Sequence, residues 1–179
     1  MYRSLTGRIK LPVAEKDRAF TVLYRQLADR VTRYIAVRVG STQVAQDLAG
    51  QTFLRVLEAM RRGQGGRNMQ AWVFGIARHV VADHYRHRRR MVPLDAVPDI
   101  VSAGPSLAEI TDQQLKLERV AEALEALSPH RAEALALRIF GGLSTVEAAE
   151  VLGKSPQAVK MLVYRAVQDL QERLEGTWR

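Results

Sequence analysis

The chain has 179 residues, no cysteine, 47% hydrophobic residues and a formal net charge of +8, with a pI near 10.3. That length holds one or two small domains, the apolar fraction supplies a core, and the missing Cys excludes disulfide staples and Cys-based zinc sites. A balance this basic points to an anionic partner, and the N-terminal twenty residues hold no apolar run long enough for a signal peptide or a membrane span, so a cytoplasmic protein without direct membrane insertion is expected.

The charge is unevenly placed. Residues 1–92 carry 18 Lys/Arg against 6 Asp/Glu, residues 93–127 carry 2 against 7, and residues 128–179 carry 7 against 6. Helix formers dominate and strict apolar/polar alternation is absent, so the expected fold is all-α. A first helix is predicted over about 17–38, with Gly40 ending it and Ser41 capping the next. That next helix, about 42–61, buries Ala45, Leu48, Ala49, Thr52, Phe53, Val56 and Met60 at helical spacing. Its outward face is Asp47, Gln51, Leu54 and Glu58, in which Leu54 is the one apolar member. "RRGQGGRNMQ" (61–70) has three Gly and no apolar stripe, so it reads as a loop. A third helix, about 71–90, buries Val73, Ile76, Ala77, Val80 and Val81. Its other side carries Arg78, His79, Ala82, Arg86 and Arg89, and it ends in "DHYRHRRRM". Neighbouring cations repel one another, so this run is best read as a phosphate track, although a solvated helix end suits Arg88 and Arg90 equally well. His79, His84 and His87 do not converge and no carboxylate pair completes a ligand set, so no metal is expected.

Residues 91–114, with three Pro and four acidic residues, read as a linker with helical periodicity only from about 106. A helix over about 107–126 follows. Ser128 is placed to cap another, with Pro129 at its first position, and Gly141 and Gly142 break it. In 142–170, Ser144 and Glu147 make an S-x-x-E capping box, Gly153 supplies a left-handed stop, and Ser155 caps a second helix that has Pro156 at its start. Two helices coupled this closely form a helix-turn-helix. At 100° per residue Val159, Val163, Ala166 and Leu170 share the core face. Gln157, Lys160, Met161, Tyr164 and Arg165 lie opposite: a base-edge reader, two cations, and an apolar group suited to a thymine methyl. They cluster toward the end of the helix that enters a major groove. An αα-corner with a solvated face is the plainer alternative.

"GSTQVAQDLAGQTFLRVLEA", "AWVFGIARHVVADHYRHRRR" and "GGLSTVEAAEVLGKSPQAVKMLVYRAVQDL" together resemble the extracytoplasmic-function group of bacterial RNA polymerase sigma factors. The resemblance covers about 18–90 and 115–175. It implies two small helical domains joined by a flexible acidic linker: a region 2-like domain over 1–92, the linker over 93–114, and a region 4-like helix-turn-helix over 115–179. It further implies core RNA polymerase and promoter DNA as partners, the DNA taken both as duplex and as melted non-template strand, with an anti-sigma protein as regulator. Asp47, Gln51 and Leu54 would dock on polymerase. Arg67, Asn68, Trp72, Arg78, His79, Arg86 and Arg89 would take the minus-ten element, and Ser155, Gln157, Lys160, Met161, Tyr164 and Arg165 the minus-thirty-five element. Opening DNA costs roughly 1.4 kcal/mol per stacked step, and stacking on an aromatic returns ~1–3 kcal/mol per base. Trp72 is placed to be such a platform or, equally, to be a core indole. Arg67 and Asn68 suit a phosphate and the edge of a flipped base.

Two positions depart from the family pattern: Leu162 stands where many members have Arg, and Gln51 where Glu is usual. The tether also sets a constraint. Twenty-four coiled residues span only about 27 Å, whereas promoter elements two helical turns apart are ~70 Å away. The linker must therefore be held extended, and the resemblance implies that polymerase holds it. No Gly-rich phosphate loop after a strand, no G-x-S-x-G and no H-E-x-x-H is present, so neither an enzyme nor a cofactor is expected. The rival reading is a helix-turn-helix regulator that binds duplex DNA without polymerase. It leaves the cationic helix and Leu54 without a role.

Overall fold

The computed structural model describes residues 7–8, 12–91 and 112–177. In chain order these form β1 (Gly7–Arg8), α1 (Val13–Val39), α2 (Thr42–Arg61), β2 (Gln64–Gly65), α3 (Met69–Met91), α4 (Asp112–Glu125), α5 (Pro129–Leu135), a π-helical turn (Ala136–Phe140), α6 (Thr145–Leu152) and α7 (Pro156–Thr177). The helical class holds. The antiparallel pair β1–β2 departs from the sequence reading, and its second strand sits inside the stretch 61–70 read as an irregular loop. The linker read over 93–114 lies outside the described residues up to 111, and α4 begins within it at Asp112.

Local chemistry sets the helix ends. Gly40 closes α1 in the left-handed region at φ 68°, its N–H bonding Ala36 O at 2.8 Å. Ser41 Oγ then accepts from the Val44 N–H to start α2. The buried face of α2 is the expected one plus Ala59, and buried Thr52 satisfies its hydroxyl on Leu48 O at 2.8 Å. Ser128 stands at the start of α5 but makes no side-chain cap; Pro129 does occupy the first helical position.

α1 is the spine of the packing. It lies against α2, α3, α4 and the π turn, while α3 also meets α6. The buried residues accordingly make one continuous cluster running from Leu23 through Phe53, Trp72 and Phe74 to Leu137, Leu143 and Val159. This explains the main departure from the sequence reading of α3. An amphipathic stripe was expected, yet Ala71 to Ala77 are buried all round, because α6 covers the side that would otherwise face water. Phe74 packs edge-on to Tyr34 with ring centroids 5.6 Å apart. Burying aromatics of this size contributes about 1.5–3 kcal/mol each, so the junction between the halves is a substantial part of the core.

Candidate functional site

In the second half the sequence reading of the helix-turn-helix is met element by element. Ser144 Oγ accepts from the Glu147 N–H at 3.2 Å, and Glu147 Oε2 accepts from the Ser144 N–H at 2.7 Å, a reciprocal capping box. At the other end of α6, Gly153 takes φ 62° and Lys154 N–H bonds Ala149 O at 3.0 Å, the closing pattern of a Schellman motif. Ser155 Oγ accepts from the Ala158 N–H at 3.1 Å and opens α7. Val159 and Ala166 are fully buried, and Val163 and Leu170 pack on them half-buried. Gln157, Lys160 and Arg165 are exposed on the outer face, with Met161 at 41% and Tyr164 at 58%. Leu162 is half-buried beside this face and adds no cation to it.

In the first half, Asp47, Gln51 and Leu54 share the outward face of α2. Leu54 is 58% exposed although the neighbouring Phe53 is buried. Arg67 is exposed in the loop before α3. Asn68 caps that helix, its Oδ1 accepting from the Ala71 N–H at 3.1 Å. Trp72 is 2% exposed, so in this arrangement the core reading describes it and no ring face is open to a base. Arg78 and His79 are half-buried, and His79 Nδ1 lies 2.7 Å from Gly75 O. Arg86 is exposed and pairs with Asp83, which Arg55 also reaches at 3.0 Å. These two guanidiniums, Arg86 foremost, hold the Asp83 carboxyl below its usual range. Exposed pairs of this kind add little stability, so a phosphate can displace the carboxylate at small cost. The Arg89 side chain lies outside the described residues.

The sequence reading missed how the halves meet. Arg30 Nε donates to Gly141 O at 2.9 Å, its Nη2 to Gly142 O at 2.7 Å, and its Nη1 to Gln70 Oε1 at 3.0 Å. The π turn leaves those two glycine carbonyls outside any helix ladder, and one guanidinium takes both. Buried Tyr34 donates its hydroxyl to Glu133, and Arg38 pairs with the same carboxylate at 3.5 Å. Burial, reinforced by the Glu133 charge and hydrogen bond, pushes the Tyr34 phenol well above its ordinary range, so it remains a donor. Asn68 Nδ2 donates to Glu147 Oε1 at 3.4 Å, tying the loop of the first half to the capping box of the second. Between α3 and the α4–α5 corner lies a cleft of about 690 Å³, with Arg38, Arg78, His79 and Arg86 on one wall and Leu127 and Glu133 on the other. Of the cations read as a phosphate track, Arg78 and His79 are half-buried beside this cleft, while Arg86 at its edge stays exposed. No local pattern marks Arg30 or Glu133; only their long-range partners do.

Residues 23–91 match the family model described as sigma-70 region 2, and residues 117–170 the one described as sigma-70, region 4. The chain is 37% identical over 159 residues to the ECF RNA polymerase sigma factor BldN of Streptomyces coelicolor, an alignment taking in 87% of this chain and 60% of that protein's length. It is 33% identical over 151 residues to the ECF sigma factor SigD of Mycobacterium tuberculosis, covering 80% of this chain and 71% of the relative. Among solved structures, CnrH in complex with the cytosolic domain of CnrY superposes with a TM-score of 0.68 at 25% identity, covering 92% of this chain and 95% of that one. The sigma factor RpoE of Bartonella quintana, solved with the anti-sigma factor NepR, shares the fold at a TM-score of 0.65 and 24% identity, with coverage of 88% and 98%.

Proposed function

The chain belongs to the extracytoplasmic-function group of RNA polymerase sigma factors, promoter-directing factors of transcription initiation, and we propose that it acts as a dissociable specificity subunit that catalyses no reaction itself. It works in the cytoplasm with core polymerase; among the described residues no helix is long and apolar enough to cross a membrane. The observation that carries the reading is the outer face of α7. On the second helix of a helix-turn-helix in which α6 and α7 are each N-capped by serine, Gln157, Lys160, Met161, Tyr164 and Arg165 stand exposed opposite a buried stripe. Such a face offers a bidentate amide to a base edge, cations to phosphates and an apolar contact to a methyl. With the Ser155 cap, it is assigned to duplex DNA at the minus-thirty-five element.

Residues 1–92 form the unit for polymerase docking and the minus-ten element, 93–114 the tether, and 115–179 the upstream reader. Asp47, Gln51 and Leu54 dock on the polymerase clamp. Arg67 and Asn68 hold the melted strand, while Arg78, His79, Arg86 and Arg89 track its phosphates. Trp72 becomes a stacking platform only if the halves part and α3 is uncovered. An anti-sigma protein is the expected regulator; the sigma factor RpoE of Bartonella quintana was solved with one, NepR. The test is transcription in vitro with core polymerase and a promoter bearing both elements. A promoter-dependent start that requires this chain supports the reading. Duplex binding without such a start assigns the chain to the free regulators instead.

A further inference from the structure

The N-terminal residues have no part in the reading so far, yet the fold gives them a place. β1 pairs antiparallel with β2, Gly7 opposite Gly65 and Arg8 opposite Gln64. β2 belongs to the loop between α2 and α3, directly before Gly66, Arg67 and Asn68. A second tie lies at the loop's entrance. Arg61 at the end of α2 makes a forked pair with Asp17, Nε to Oδ1 at 3.0 Å and Nη2 to Oδ2 at 3.2 Å, and Lys16 Nζ donates to Arg61 O at 3.2 Å. Gly63, at φ 79°, turns the chain out of α2 into β2, a conformation that favours glycine. At the far end the Asn68 side chain caps α3. A loop with three glycines in seven residues is thus held at its entrance, its middle and its exit.

We propose that the β1 strand is a positioning element of this loop: by pairing with Gln64–Gly65 it fixes Arg67 and Asn68 in one register and so sets how strictly the minus-ten element is read. The inference rests on the minus-ten role proposed for that loop. Glycine gives a chain many backbone conformations, and a free loop has several ways to present the same two side chains. It accommodates a wrong base by rearranging. A loop already ordered by a strand ladder binds the right base without further ordering and rejects the wrong one, because its polar groups cannot move to follow. The ladder uses main-chain groups, so the identity of residue 8 matters little as long as its N–H and extended backbone remain.

The experiment uses the full chain bound to core polymerase and compares transcript yields from a promoter and from versions with single-base changes across the minus-ten element. Deletion of residues 1–9, and separately Arg8→Pro, should reduce the ratio between matched and substituted promoters by about threefold or more, an effect of lost preorganisation. Arg8→Gln keeps the N–H and removes the charge, and it should discriminate as the unaltered chain does. Affinity for core polymerase should stay the same in all four proteins. Unchanged ratios in the deletion and the Pro variant overturn the inference. So does a uniform loss of transcript from matched and substituted promoters alike, which marks a merely structural strand. If the unaltered chain gives no promoter-dependent transcript, the proposed function itself has failed, a result separate from either of these.

Discussion

Glu147 serves two contacts at once: it closes the capping box of α6 and accepts from Asn68 across the joint. Burial acts to raise its pKa, but the bonds from Ser144 and Asn68 outweigh it and hold the carboxyl below its ordinary value. A carboxyl depressed in the folded state adds stability that is fully present above its unfolded pKa, about 4.3, and is lost as pH falls through the folded value. The melting temperature of the protein should therefore exceed that of Glu147→Gln by a constant margin above about pH 5, narrowing below about pH 4. A margin that stays constant into acid would show that the carboxylate charge contributes nothing. On α7, Gln157→Ala should relax preference at one base of the upstream element by about 1–3 kcal/mol, read as binding ratios, with core-polymerase affinity unchanged. Exposure at this scale follows from periodicity, so the surface positions of Leu54, Gln157 and Tyr164 could be read from spacing alone. Trp72 could not be placed. Its spacing on α3 fits a platform as well as a core indole, and only the tertiary packing around α3 decides.

Elements whose ends are set within a few residues were legible. α2 begins and ends where Ser41 and the Gly-rich loop put it, and the box, the left-handed glycine and the second cap place both ends of α6 and the start of α7. β1–β2 and the π turn were not legible, because each depends on a partner far along the chain. Gly141 shows the dependence. A Cβ there would meet Leu137 O at 2.7 Å and Phe74 Cε1 at 2.8 Å, the second atom belonging to the other half of the molecule. With φ at −74° the backbone itself accepts alanine, so the whole cost of Gly141→Ala is crowding. Overpacking of this kind costs about 1–3 kcal/mol, or a fall of roughly 2–10 °C in melting temperature for a chain of this size. On α3, the double substitution Arg78→Ala with Arg86→Ala should weaken holoenzyme binding to promoter DNA. The slope of log affinity against log salt should become shallower by about 1.5–2, the share of two phosphate contacts. An unchanged slope would return both arginines to the class of solvated surface charge.

At the scale of the whole molecule, two requirements conflict. The halves share one core, sealed by Arg30 on the Gly141 and Gly142 carbonyls and by Tyr34 and Arg38 on Glu133. Two promoter elements ~70 Å apart, by contrast, cannot both be gripped by halves in contact. The closed form also half-buries Arg78 beside a cleft and engages Asn68 with Glu147, so two of the groups proposed for the minus-ten strand are partly taken up. Under the proposed function, polymerase binding supplies the free energy that parts this joint. That makes the open form a minor state of the free chain, and promoter binding in the absence of polymerase is expected to be weak. The absence of cysteine allows a clean test. Thr42 Oγ1 donates to Gln114 Oε1 at 2.9 Å, joining the start of α2 to the first turn of α4 at the last position of the tether, and neither residue is among those assigned to DNA or to the polymerase dock. A chain carrying Thr42→Cys and Gln114→Cys, bridged by a short reducible thiol cross-linker, is held shut. Its promoter-dependent transcription should fall by an order of magnitude or more, on the scale of the ~1.4 kcal/mol per tenfold that separates open from closed populations. Reduction should restore it. Full activity in the bridged protein would mean that the joint survives on the promoter, and the elements would then have to be reached in some other way than by parting the halves.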